Sequence, residues 1–256
     1  MTATLTVLGA SACAPTPLGP ASGYLLEHSG GGLLIDCGPG VVARLAAEGL
    51  LDRVTAVLAS HSHADHCADL TVLAYRRSFP TVQRALPLYA PTDFPGKLDG
   101  LDEVFGIPSL STMRTPLRSQ FDLIQVEPGQ SLQIDGLSVE TIRADHPVPT
   151  LSMRFPDLGF VYTADTGYTE ELVELSREAR LLLAEATYRA ADGIDVTGHG
   201  HLDGHTVGDL GAAAEVRHLA VTHLADPAQT ADIEAEARTR FGGELTMVKP
   251  GMTFEL

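Results

Sequence analysis

The chain reads as an α/β protein in which two sheets pack face to face with helices on their outer sides. Three observations predict this. Hairpin strands followed by strand–helix alternation occur twice, over residues 1–90 and again over residues 130–256. The run Val54–Ala59 is almost continuously apolar, as expected of a strand covered on both faces. With 44% hydrophobic and 20% charged residues in 256, the composition is that of a globular chain rather than a disordered one. A chain of this length buries roughly 70–75% of its unfolded surface.

In the first half, Leu5–Leu8 and Ser22–Leu26 read as strands. Leu33–Asp36 pairs with the second of these across Ser29-Gly30-Gly31-Gly32, a hairpin turn signal. Gly38-Pro39-Gly40 stops that strand, and Val41–Ala47 carries a helical pattern closed by Gly49. After Val54–Ala59 come a helix over residues 67–79 and a strand at Leu86–Ala90, while residues 91–120 are rich in Pro, Gly, Ser and Thr and give no clear element. The second half opens with strands at Ser131–Ile134, Leu137–Arg143, Leu151–Phe155 and Phe160–Thr163. Helices at Glu170–Arg177, Thr206–Ala214 and Ala228–Phe241 then alternate with strands at Leu181–Ala184, Leu219–Val221 and Leu245–Val248. No short repeat, low-complexity tract or linker interrupts the sequence, so residues 1–256 are expected to form one domain.

Charge narrows the function classes. Seventeen Lys and Arg against 33 Asp and Glu give a net charge of −16, which argues against gripping nucleic acid or an anionic membrane by bulk electrostatics. Cys13, Cys37 and Cys67 include no CxxC pair and form no disulfide framework. Reduced thiols and a cytoplasmic location are the expectation. The start MTATLTVLGASACAP has no basic segment and reads as no signal peptide, and no apolar run reaches membrane-spanning length.

The chemistry concentrates in His61-Ser62-His63-Ala64-Asp65-His66, directly after the apolar strand. Alternate residues of an extended chain share a face, so His61 and His63 converge on one point. Asp65 and His66 lie where the chain turns into the next helix and aim at a second point. Imidazole and carboxylate suit zinc and its transition-metal neighbours. His146, Asp165 and His223 each follow another apolar strand, the same address as the first cluster. That repetition is the strongest residue-level argument, because a single His after a strand is more often structural.

On these residues the chain resembles the metallo-β-lactamase-fold hydrolases. His61–His66 matches their HxHxDH signature, and the later ligand positions, Ile35-Asp36-Cys37-Gly38 and the terminal Met247–Leu256 extend the likeness over nearly the whole chain. The resemblance implies an αββα sandwich binding two divalent metal ions, with Zn the leading candidate and Mn or Fe as alternatives. One metal would use His61, His63 and His146; the other would use Asp65, His66 and His223; Asp165 would bridge them. His201 lies 22 residues before His223, the place where phosphodiesterase members carry the residue that protonates the leaving oxygen. His205 and His199 fit that role less well, and His28 and His218 are expected at the surface.

A bacterial branch associated with 3′,5′-cyclic nucleotide phosphodiesterase activity resembles GASACAPTPLGPASGYLLE, HCADLTVLAYRRSFP, HPVP and LLLAEATY. The tRNA 3′-processing endonucleases share the ligand motifs but insert a long basic arm between the positions of His146 and Asp165. Here those residues are 19 apart with no Lys between them. The expected activity is therefore metal-dependent cleavage of a small phosphodiester, a 3′,5′-cyclic nucleotide. The alternatives are a 2′,3′-cyclic phosphate, an arylsulfate, a lactone or precursor tRNA. Two metals roughly 3.5–4 Å apart would activate water for attack on phosphorus, with Asp65 and Asp165 balancing their charge. His201 would act as general acid, worth about 10²–10⁴ in rate. Arg76, Arg77 and Arg143 are candidate phosphate contacts, and Tyr24, Tyr75 and Tyr168 candidate base-stacking residues, although surface or packing roles suit each at least as well. The resemblance also implies a homodimer as one expected state.

Overall fold

The computed structural model describes residues 2–109, 115–196 and 198–256. Fourteen strands among these residues form two seven-stranded sheets. The first sheet contains β1 (Thr4–Gly9), β2 (Gly23–His28), β3 (Gly31–Ile35), β4 (Val54–Leu58), β5 (Leu86–Pro91) and β6 (Phe121–Val126). The second contains β7 (Ser131–Ile134), β8 (Leu137–Arg143), β9 (Leu151–Phe155), β10 (Phe160–Tyr162), β11 (Leu181–Glu185), β12 (His218–Thr222) and β13 (Glu244–Met247). The last strand, β14 (Thr253–Glu255), returns to the first sheet and pairs antiparallel with β1, Leu5 opposite Phe254.

Three apolar clusters account for the layering. Between the sheets pack Leu5, Tyr24, Leu33, Leu58, Phe155, Phe160 and Tyr162, these seven 1% exposed or less. Outside the first sheet, Leu34, Val57 and Leu88 meet α1 (Val41–Ala47), α3 (Leu70–Ser78) and α4 (Phe94–Phe105) through Leu45, Leu73 and Phe94. Outside the second sheet, Leu182, Leu219 and Val221 meet α5 (Glu170–Ser176), α6 (Gly204–Ala213) and α7 (Thr230–Arg238) through Leu172, Leu210 and Ile233. Strands buried on both faces read as apolar runs: β11 does so up to Glu185, and β4 does so after the exposed Thr55. The result is the expected αββα sandwich.

Several elements depart from the reading of the sequence. The helix expected over 67–79 is two pieces, a single turn α2 (Ala64–Cys67) and then α3, because the Cys37 carbonyl takes the Asp69 amide between them. The final helix begins with a 3₁₀ turn at Pro227–Gln229. Phe94–Phe105 and Phe121–Val126 form a helix and a strand inside or beside the Pro- and Gly-rich stretch, parts of which lie outside the described residues. In the helix Phe94, Leu98 and Leu101 recur at helical spacing, but Pro95, Gly96 and Gly100 hide it among breakers. The strand has no clean alternation and is defined by its pairing to β5 from Leu86↔Phe121 to Pro91↔Val126. No helix of the described residues is long and apolar enough to cross a membrane.

Candidate metal centre

The cluster sits at one rim of the sandwich, just past the ends of β4, β8, β10 and β12. His61 and His63 follow β4, Asp65 and His66 lie in α2, His146 follows β8, Asp165 follows β10 and His223 follows β12. Four residues around the rim, Cys13, Asp36, Ala164 and His223, have φ between 52° and 61° without being glycine. Such backbone is held against a cost of order 1–3 kcal/mol each. The His223 and Leu224 amides donate to the Ala10 carbonyl, and the Asp36 amide to Leu58, which ties these bends to the sheets.

All seven sequence-predicted ligands come together in two groups that share Asp165. His61, His63, His146 and Asp165 form one; Asp65, His66, Asp165 and His223 form the other, with ligand atoms within 4.8 Å of one another in each. Two ligands about 2.0–2.1 Å from a tetrahedral ion lie about 3.3 Å apart. The observed separations match: Asp165 Oδ1 is 3.3 Å from both His66 Nε2 and His223 Nε2, and Asp165 Oδ2 is 3.6 Å from His61 Nε2. Asp65 Oδ2 lies 3.3 Å from His223 Nε2, and His146 Nε2 lies 3.1 Å from His63 Nδ1.

The donor atoms themselves call for cations. His66 Nδ1–H donates to Asp36 Oδ2 at 2.8 Å, which leaves Nε2 to meet a cation. Thr187 Oγ1 donates to Glu185 Oε2 at 2.6 Å and so accepts from His223 Nδ1–H at 3.0 Å, leaving His223 Nε2 to meet one as well. These two nitrogens face each other at 3.1 Å, an arrangement that needs a proton or a metal ion between them. His146 Nδ1–H donates to the Gly200 carbonyl at 2.8 Å, with the same consequence for its Nε2. His61 Nε2 and Asp165 Oδ1 are buried without any hydrogen-bond partner. The set therefore fits two divalent ions, each imidazole tautomer being fixed by the hydrogen bond on its other nitrogen.

Electrostatics agree. Burial holds His61 neutral, well below the ordinary imidazole value, with the neighbouring histidines adding to the effect. Burial also lowers His146, against the pull of the Gly200 carbonyl and Asp165. Burial pushes His66 the same way, yet the Asp165 and Asp36 carboxylates outweigh it and raise His66 well above its usual range. Burial alone would raise Asp165, but His223 and His66 hold it well below the carboxylate range. The carboxylates here recruit positive charge from whatever is nearest.

Two buried carboxylates that the sequence reading did not assign organise the surroundings. Asp36 Oδ1 takes the Ser60 amide at 2.7 Å, and its Oδ2 takes the Ser60 hydroxyl, His66 and the Tyr162 hydroxyl at 2.8–2.9 Å. It thereby ties the first sheet to the second through a candidate ligand. Glu185 accepts from the Thr166 amide, the Thr187 amide and hydroxyl, and His201 Nδ1–H at 2.9 Å. Both residues stand at strand ends, after β3 and closing β11. The address that singled out His146, Asp165 and His223 marks them too.

The profile of the Anti-Pycsar protein Apyc1 family matches residues 3–204. The chain belongs to that family. Among relatives, it is 34% identical to the uncharacterized protein ML1173 of Mycobacterium leprae, over 100% of this chain and 89% of that one. It is 28% identical to the probable metallo-hydrolase YhfI of Bacillus subtilis, covering 98% and 99%. The crystal structure of YhfI, a metallo-β-lactamase-fold protein, superposes over the whole of both chains with a TM-score of 0.84. Human tRNase Z, short form, shares the fold at a TM-score of 0.77 and 22% identity, over 98% of each chain. Fold, His/Asp cluster and relatives together make this member of the family a metal-dependent hydrolase of the metallo-β-lactamase fold.

His201 lies beside the cluster, its ring centroid 5.1 Å from that of His146 and stacked at 5.9 Å on His223. His205 lies in the first turn of α6, which Asp203 caps in a box with Thr206. His28 and His218 are half-buried rather than free at the surface, accepting from the Gly30 amide and contacting Thr246 respectively. Tyr24 is fully buried, its hydroxyl 2.7 Å from Thr222, which removes it from substrate contact. Tyr75 donates to the Phe105 carbonyl, and Arg77 to the Arg84 carbonyl. Arg143 and His146 border an open groove of about 450 Å³ with Thr169 and Glu171. Tyr168 is 39% exposed.

Proposed function

We propose that the protein is a phosphodiesterase acting on 3′,5′-cyclic nucleotides. The observation that carries the reading is the His201–Glu185 pair standing against both groups of candidate ligands. His61, His63, His146 and Asp165 would hold one divalent ion, and Asp65, His66, His223 and Asp165 the other. Such ions supply Lewis-acid stabilisation of developing charge and lower the pKa of water from 15.7 toward about 7.

The chain's own groups supply the rest. Burial alone would lower the pKa of His201, but the Glu185 carboxylate on Nδ1 outweighs it and raises it. The imidazolium is thus favoured, with Nδ1–H spent on Glu185 and a second N–H available for a departing alkoxide oxygen. Glu185 also binds Thr187, which orients His223, so proton donor and candidate ligand are set by one carboxylate. A cyclic ester of ribose has a poor leaving group and needs that proton.

Size and charge support a small substrate. The 19 residues from His146 to Asp165 are spent on a short loop and the antiparallel β9–β10 pair, Phe155 opposite Phe160. Nothing is inserted there that reaches outward to a long polyanion. The net charge of −16 opposes one as well. Side-by-side assays with 3′,5′-cyclic nucleotides and precursor tRNA, at matched enzyme and metal, test the reading. Turnover of the cyclic ester to a nucleoside monophosphate is expected. Efficient tRNA 3′-end cleavage without cyclic nucleotide turnover would reverse it.

A further inference from the structure

Tyr188 follows Thr187 directly, and its backbone is locked to the segment after His201: its amide donates to the Leu202 carbonyl at 3.4 Å and its carbonyl accepts from Gly204 at 3.2 Å. Its half-buried side chain lies in the field of Cys13, Glu185 and Asp165. His199 is exposed between Gly198 and Gly200, at φ 68° and 81°. Gly200 cannot carry a side chain, because a Cβ would come within 2.8 Å of Pro147 and 2.9 Å of His146. The turn therefore presses against His146 on one side and presents His199 on the other.

The rings of Tyr188, His199 and His201 form an open corner. Tyr188 stands nearly perpendicular to both imidazoles, with centroids at 5.4 Å from His199 and 5.8 Å from His201. The two imidazoles are 5.9 Å apart. No contact among the three is a parallel stack, so the ring faces are not spent on one another, and His199 is exposed to solvent. The phenol has no hydrogen-bond partner among the described residues, which leaves a polar tip for the edge of that group.

Position identifies the group. A substrate whose departing 3′-oxygen meets His201 carries its base one ribose ring away. The two aromatic side chains stand at that spacing from His201. We infer that Tyr188, together with His199, seats the nucleobase of the substrate by stacking, and that Tyr188 is a substrate-positioning residue that favours a ligand with a base over one without. This rests on the nucleotide reading above. It replaces Tyr24, Tyr75 and Tyr168 with a residue that the pattern of the sequence did not single out. Stacking is tolerant of base identity, because every base has a π-face, so purine and pyrimidine nucleotides are both accommodated.

The test compares adenosine 5′-monophosphate with ribose 5-phosphate, titrated calorimetrically into metal-loaded protein. The pair differs only by the base. The nucleotide is expected to bind about tenfold more tightly, at the low end of what a stacked base contributes. Tyr188→Ala should cut that preference below about threefold, Tyr188→Phe should retain it, and His199→Ala, at an exposed position, should reduce it without any risk to folding. With cyclic nucleotide as substrate, Tyr188→Ala should raise KM more than it lowers kcat. Equal binding of the two ligands by the wild type overturns the inference, as does an undiminished preference in both alanine variants. A preference lost on substitution, in a protein that turns over no cyclic nucleotide, leaves the subsite standing and defeats the reaction instead. Turnover without any preference defeats the subsite alone.

Discussion

His201 and Glu185 share one hydrogen bond and are expected to act as one unit. His201→Ala should lower kcat by about 10²–10⁴ for a substrate with an alkoxide leaving group and much less for an activated aryl phosphodiester. Glu185→Gln should show the same leaving-group dependence, since the amide no longer favours the imidazolium. The double variant should be scarcely worse than His201→Ala, because residues acting together are not additive. Steady-state kinetics on both substrates check this; equal losses on the two would assign His201 a structural role. Asp165 stands in both candidate ligand groups. Metal analysis of loaded protein should give about two ions per chain, falling in Asp165→Ala. Saturation at one ion, with His223→Ala harmless, would remove the dinuclear arrangement. Tyr162→Phe deletes one of the hydrogen bonds to Asp36, which orients His66. It should weaken metal affinity by about tenfold, the lower end for a residue behind a ligand, as competition with a chelator would measure.

Among the elements, the start of α6 is where stability and chemistry meet. Asp203 accepts the Thr206 amide at 2.8 Å while the Thr206 hydroxyl accepts the Asp203 amide at 2.8 Å, a reciprocal cap. His201 lies two residues ahead of it. Asp203→Ala is expected to cost about 1 kcal/mol, which in a chain of this size lowers Tm by roughly 2–4 °C. The unpinned turn should also reduce kcat for poor leaving groups. Asp203→Asn, an equally good cap, should restore both. Thermal unfolding followed by circular dichroism, alongside kinetics, separates the two effects.

For the whole molecule, charge is unevenly spread. Residues 72–107 hold four cations (Arg76, Arg77, Arg84, Lys97) and four acids (Asp93, Asp99, Asp102, Glu103), so the net −16 lies entirely outside them. The same stretch contains Val72, Phe79, Val82, Val104, Phe105 and Ile107, six of the nine large hydrophobic residues exposed among the described residues. The Tyr75–Phe105 hydrogen bond joins the ends of α3 and α4 there. Two copies repel least where each is neutral, and an apolar face of this kind marks an association surface. Light scattering is expected to give twice the chain mass of 27.1 kDa. Phe79→Glu combined with Val104→Glu should give the monomer with unchanged circular dichroism. A wild-type monomer at every concentration would dispose of the homodimer.

Much of this protein was determined by local pattern. Ser131–Ile134, Leu137–Arg143 and Leu151–Phe155 form strands with the bounds their apolar runs predict, and Val41–Ala47 forms its helix between Gly40 and Gly49. The αββα layering followed from two rounds of hairpin and alternation. The seven candidate ligands were legible because chemistry-bearing residues just past apolar strands are brought to one rim by any sandwich of such strands. Phe94–Phe105 was not legible because Pro95, Gly96 and Gly100 mask its apolar spacing, and Phe121–Val126 because pairing with β5, rather than its own period, makes it a strand. The tertiary structure alone decided which groups stand behind the ligands. Asp36, at φ 57°, reaches His66 in α2 and Tyr162 in the second sheet, and Glu185 reaches His201 across a loop. Hydrogen bonds between residues 16 to 126 positions apart leave no periodic trace in a sequence. They exist only once two sheets have packed and excluded the water that would otherwise take each partner.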